Sequence, residues 1–169
     1  MSKTIVLAVD AARPEPGQHV QAAVEMIKDL ASGEDKVVVL HVHEFAVGRF
    51  GRMQVDCAEG QGERLVADIV AGLTAAAVTA EGAIREADFG HVARAILTFA
   101  EHAGARILVL GSSSRTDLPR VPFGSVSSRL LHLASLPVLI VPMQPAERVH
   151  VTATDVEQER PTEAAATAG

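Results

Sequence analysis

Ile107-Leu-Val-Leu-Gly111-Ser-Ser-Ser-Arg115-Thr-Asp-Leu-Pro-Arg120-Val-Pro-Phe-Gly124-Ser-Val-Ser127 is the stretch that decides how this chain folds. It opens with a short, continuously apolar run, as expected for a strand covered on both faces. A loop rich in glycine and serine follows, and then a helical pattern through Val126, Leu130, Leu131 and Ala134. A second run, Ile5-Val-Leu-Ala-Val9, is equally apolar and ends at Asp10. These two runs are the natural central strands of a sheet with helices on both faces, and ligands of such sheets bind beyond the strands' carboxyl ends.

Working outward, apolar runs alternate with helical stripes. Val20, Ala23, Val24, Ile27 and Leu30 recur at helical spacing, and Val37-Val-Val-Leu40 restores a strand that continues through His41-Val42-His43. A loop is expected over residues 44–60, then a helix on Leu65, Val66, Ile69, Val70 and Leu73. Residues 83–87 alternate small or apolar with charged positions, which suggests an edge strand with one face in water. Val92, Ile96, Ala100 and Ala103 mark a third helix, and Pro137-Val-Leu-Ile-Val141 closes the unit as a last strand. The pattern is βαβαβαβαβ, an α/β fold of three layers around a five-stranded parallel sheet. The folded unit is expected over residues 3–143.

Composition bounds the function. The chain has 169 residues, a net charge of −6 and one cysteine, so Cys57 has no intramolecular disulfide partner. A lone thiol favours a reducing compartment, and a cytoplasmic location is expected. No apolar run approaches the ~18–20 residues that cross a bilayer, so no membrane partner is expected. With no Trp and no Tyr, aromatic platforms for nucleic-acid bases are missing, and the acidic balance also argues against nucleic acid. Arginine outnumbers lysine twelve to three and alanine supplies 28 residues, as in GC-rich bacterial genomes. From Gln144 onward five acids and two bases make an acidic tail, residues 144–169, which reads as disordered and leaves the fold at about −3.

Several motifs are excluded. There is no Gly-x4-Gly-Lys-Ser/Thr, no Gly-x-Gly-x-x-Gly after the first strand and no Gly-x-Ser-x-Gly. The loop from Gly111 to Ser127 offers glycines that let backbone N–H groups approach an anion, ahead of a helix N-terminus. The simpler reading makes Ser125 a helix N-cap. Asp10 either binds a ribose hydroxyl or caps a turn. His41 and His43 share one strand face, but a metal site needs further ligands, so ordinary hydrogen-bonded histidines are expected. Cys57 reads as an incidental thiol in an exposed loop, beside Asp56 and Glu59, whose charges disfavour a thiolate.

On these residues the sequence resembles the universal stress protein family. The family's loop signature, Gly-x2-Gly-x9-Gly-Ser/Thr, reads here as Gly111-x2-Ser114-x9-Gly124-Ser125. Gly124-Ser-Val-Ser127 and Leu136-Pro-Val-Leu-Ile-Val-Pro142 are similar to its closing helix and strand. The resemblance implies a Rossmann-like fold of the adenine nucleotide alpha hydrolase type, with strand order 3-2-1-4-5. It also implies a homodimer through the last strand. In the implied site Val42 and neighbouring apolar residues hold adenine, Asp10 holds the ribose, and Val9, Leu110 and Val126 are further nucleotide-binding residues. Gly111, Ser114, Gly124, Ser125 and Ser127 hold the phosphates. No protein-only metal site is implied; Mg2+ or Mn2+ accompanies the phosphates. Asp117 is a general-base candidate only by its place in the loop, so at most weak ATPase activity is expected. The leading expectation is ATP as a regulatory ligand in a bacterial stress response. A dimeric stress protein that binds no nucleotide is the alternative, favoured by Ser114 in place of glycine. A slow ATP hydrolase or nucleotidyl-transfer enzyme is third.

Overall fold

The computed structural model describes residues 3–12, 16–31, 33–111 and 124–141. Ser114, Asp117 and the acidic tail lie outside the described residues. Among the described residues six strands and four helices follow in the order β1 (Thr4–Val9), α1 (Pro16–Leu30), β2 (Lys36–Gly48), β3 (Gly51–Gln54), α2 (Gln61–Ala75), β4 (Thr79–Asp88), α3 (Val92–His102), β5 (Ala105–Gly111), α4 (Ser125–Leu133) and β6 (Val138–Val141). The parallel strands lie in the order β4-β2-β1-β5-β6, the expected 3-2-1-4-5. β1 and β5 are neighbours at the centre and register Ala8 opposite Leu110. After β1 the chain builds outward through β2 and β4, then crosses back to β5. The β1–β5 crevice is therefore the topological switch point.

Two boundaries differ from the sequence reading. β4 is ten residues long rather than five, but among the described residues it pairs only with β2, as an edge strand should. The expected loop over 44–60 is in large part a hairpin: β2 continues to Gly48, and β3 returns antiparallel, pairing Phe45 with Gln54 and Gly48 with Gly51. Gly51 has φ +108°, which side-chain-bearing residues rarely adopt. Phe45 pairs with both Gln54 and Asp88, so β3 lies on the side of β2 away from β4, beyond the carboxyl end of β1. An Arg52–Glu86 ion pair at 2.7 Å and the Arg52 guanidinium 3.8 Å from the Phe45 ring brace it.

Side-chain alternation divides the core into two layers. Ile5, Leu7, Val37, Val39 and Val109 face Ala23, Val24 and Ile27 of α1 and Leu65, Val66, Ile69 and Leu73 of α2. Val6, Val38, Leu40, Leu108 and Leu110 face Ala93, Ile96, Leu97 and Ala100 of α3 and Leu130 of α4. Burying both faces of β1 and β5 explains why their sequences are apolar without alternation.

At the opposite, amino end of the sheet, Arg106 donates to Asp35 Oδ2 at 2.9 Å and to the Leu30 carbonyl at 3.0 Å. It ties the start of β5 to the end of α1. Asp35 is buried, whereas the Arg106 side chain is 32% exposed, so solvent weakens the pair. Arg106→Ala should therefore cost about 1–2 kcal/mol, below the several kcal/mol of a fully buried pair. Urea unfolding of the variant against the parent checks this.

Candidate functional site

The described residues expected at the ligand gather where β1 and β5 end. Asp10 follows Val9 and is exposed, and its Oδ1 accepts the Ala12 N–H at 2.9 Å, so the carboxylate does cap a turn. Gly111 ends β5, half-buried and paired with Val141. Because β6 runs parallel to β5, α4 must run back across the sheet, which places its N-terminus at the same carboxyl edge as Asp10 and Gly111.

The cap of α4 corrects the sequence reading. Gly124, extended at φ −65° and ψ 167°, is the N-cap, and among the described residues no side chain caps the helix. Ser125 is the first helical residue rather than the cap. Ser128 N–H bonds to the Gly124 carbonyl at 2.9 Å, so the helix is regular from its first turn. With no side-chain cap, the first-turn N–H groups carry the partial positive charge that suits an anion. Ser127 is only 5% exposed and Val126 half-buried, while Ser125 is exposed.

Of the apolar residues expected at the nucleotide, Leu110 is buried and Val9 half-buried. Val42 is 6% exposed, and its side chain packs in the α3–α4 layer of the core. The structure thus brings Val9, Asp10, Leu110, Gly111, Gly124, Ser125, Val126 and Ser127 to one edge of the sheet, with Val42 set into the core beside it.

Four further side chains converge next to that edge. His41 and His43 continue the α1–α2 face of β2, and both are buried. The segment after β3 folds back so that Asp56 Oδ2 lies 3.0 Å from His41 Nε2 and 3.2 Å from His43 Nδ1. Cys57 Sγ lies 3.1 Å from the same carboxylate oxygen, 3.8 Å from His41 Nε2 and 3.9 Å from His43 Nδ1. Cys57 is thus half-buried inside a polar cluster, not an incidental thiol in an exposed loop. Burial, with the adjacent Asp56 carboxylate, pushes the thiol up to about 11. Burial alone would depress His43, but hydrogen bonds and charge from Glu63 and Asp56 prevail and raise it. Asp56 is lowered: burial opposes this, and hydrogen bonds from Cys57, His43 and the Glu44 backbone outweigh it. The two histidines are hydrogen-bonded as expected. Spacing did not reveal that residues 13 to 16 positions away would join them.

The Universal stress protein family model matches residues 1–142. The chain belongs to the universal stress protein family. Solved structures carry the same fold. A family protein from Burkholderia pseudomallei is 22% identical, with a TM-score of 0.58 over 83% of this chain and 96% of that one. The Archaeoglobus fulgidus protein in complex with dAMP is 17% identical, with a TM-score of 0.60 over 82% and 97%. An Arabidopsis thaliana family protein with AMP bound is 19% identical, with a TM-score of 0.57 over 86% and 94%. No curated protein sequence matches the chain.

Proposed function

We propose that this universal stress protein binds ATP at the β1–β5 switch point as a regulatory ligand in a bacterial stress response. The observation that carries the reading is the N-terminus of α4, capped by Gly124 with no side-chain cap among the described residues, and lying at the same sheet edge as the Asp10 carboxylate. That pairing of an anion-seeking helix end with a hydroxyl-seeking carboxylate suits a nucleotide. The adenine nucleotides named for the Archaeoglobus and Arabidopsis proteins support it. Val42, already packed in the core, serves as a wall at the adenine end, while Val9 and Leu110 line the crevice. Gly111, Ser114, Gly124, Ser125 and Ser127 receive the phosphates, with Mg2+ or Mn2+ on the phosphates rather than on protein ligands.

Binding without appreciable turnover is expected. Calorimetric titration of the full chain with ATP and magnesium, followed by assay for ADP and AMP, tests this. Saturable binding without product is the expected result. Absence of binding at millimolar ATP overturns it and favours the dimeric stress protein that binds no nucleotide.

The same reading includes a homodimer. Among the described residues β6 pairs only with β5, which leaves its outer edge for a second copy to pair with. Pro137 to Val141 is the proposed contact. Sedimentation velocity at micromolar concentration should show a dimer, and a sole monomer peak refutes it. Among the described residues no helix is long and apolar enough to cross a membrane. A cytoplasmic site of action, without a nucleic-acid partner, completes the proposal.

A further inference from the structure

The cluster on the α1–α2 face has the organisation of a metal centre. One donor atom from each of His41, His43, Asp56 and Cys57 lies within 4.8 Å of all the others. The five closest separations run from 3.0 to 3.9 Å. Ligand–metal bonds of about 2.0–2.3 Å in a tetrahedron give ligand–ligand edges of roughly 3.3–3.7 Å, so the four atoms need only small shifts to surround one ion.

The outward-facing atoms of the same side chains are already held. His41 Nδ1 faces the Val9 carbonyl at 3.1 Å, and His43 Nε2 faces the Glu63 carboxylate at 3.1 Å. A proton on each outer nitrogen satisfies these acceptors and leaves the inner lone pairs, His41 Nε2 and His43 Nδ1, directed at one point. Metal-bound histidines are oriented by this kind of outer hydrogen bond. Asp56 is fixed in the same way, because its Oδ1 accepts the Glu44 N–H at 3.1 Å and its Oδ2 faces inward. Gln54 Nε2 lies 2.9 Å from His43 Nδ1, 3.2 Å from the Cys57 carbonyl and 3.5 Å from Cys57 Sγ, and it must withdraw from His43 Nδ1 for an ion to enter. Gly62, in the first turn of α2, leaves room for both rings: a Cβ there would lie 2.3 Å from His41 Cδ2 and 2.8 Å from His43 Cε1.

We propose that His41, His43, Asp56 and Cys57 bind one divalent transition-metal ion, with zinc the best match. Two imidazoles, a thiolate and a carboxylate are zinc donors, whereas magnesium and calcium prefer oxygen alone. Four protein ligands leave no open position, so the site is structural or sensory rather than catalytic. The ion would pin the segment after β3 onto β2. Through His41 and the Val9 carbonyl it would also steady the residue before Asp10. The site does not depend on nucleotide binding.

The test uses chelator-treated full-length chain. Zinc titration against a chromophoric chelator of micromolar affinity should show one equivalent bound. Cobalt should give the intense visible bands of a tetrahedral ion and a thiolate charge-transfer band in the near ultraviolet. Cys57→Ser should remove the charge-transfer band, and Glu63→Gln, which touches no metal, should weaken zinc about 10–100-fold. Failure of the parent chain to compete for zinc, an octahedral cobalt spectrum, or a spectrum indifferent to Cys57→Ser overturns the site and leaves a hydrogen-bonded cluster.

Discussion

Gly124→Asp should reduce ATP affinity at least about 100-fold while leaving the fold's stability within a few tenths of a kcal/mol. The two effects separate because one carboxylate acts on two partners of opposite sign. Gly124 is the N-cap of α4, and among the described residues no side chain caps that helix. Aspartate is a preferred N-cap that exceeds glycine by only a few tenths of a kcal/mol, and its charge suits the positive helix end. The backbone at φ −65° and ψ 167° accepts a side chain without strain. A phosphate approaching the same N–H groups meets both a competitor for them and a like charge, which costs several kcal/mol. Thermal unfolding and ATP calorimetry on one preparation read both quantities. Unchanged affinity would place the phosphates elsewhere.

Gly62→Ala should destabilise the protein by about 2–4 kcal/mol, although alanine is the better helix former. The helix preference favours alanine by up to about 1 kcal/mol. Against it, the new Cβ would lie 2.3 Å from His41 Cδ2, 2.7 Å from His41 Nε2 and 2.8 Å from His43 Cε1. His41 is 2% exposed and tied to Val9 and Asp56, so its ring cannot retreat without losing those bonds. Overpacking of this kind costs about 1–3 kcal/mol, and each lost hydrogen bond adds about 1. Steric crowding wins. Urea unfolding measures the difference, and Gly72→Ala on the same helix is the control. A Cβ at Gly72 meets nothing within 4 Å, so that variant should be neutral or slightly more stable.

The parts of this molecule that were legible in the sequence are those specified by local pattern. β1 and β5 announced themselves through continuous apolarity, because both faces of each are covered. The edge position of β4 was readable from its charged alternation. The glycine before α4 was readable as lying at a helix N-terminus, although its role as the cap, in place of Ser125, needed the backbone angles. The β2–β3 hairpin was not readable. Gly48, Gly51 and the charged residues between β2 and α2 have the composition of a loop, and β3 exists only because the end of β2 offers it a pairing edge. Gly62 was the one local sign of the neighbouring cluster, as a glycine in a first helical turn has little reason to be there unless something packs against it.

By itself, then, the sequence determined the βα alternation, the two central strands and the glycine-led helix at the switch point. Each of these follows from contacts within a few residues and from periodicity. Tertiary structure alone decided that Val42 enters the α3–α4 core while His41 and His43 face α2. It alone decided that Asp56 and Cys57 return to meet them. Strand alternation assigns residues 41 and 43 to one face, but which layer covers that face, and which distant side chains close over it, depends on chain crossings. Convergence of donors separated by 13 to 16 positions is a property of those crossings, and no local pattern encodes it.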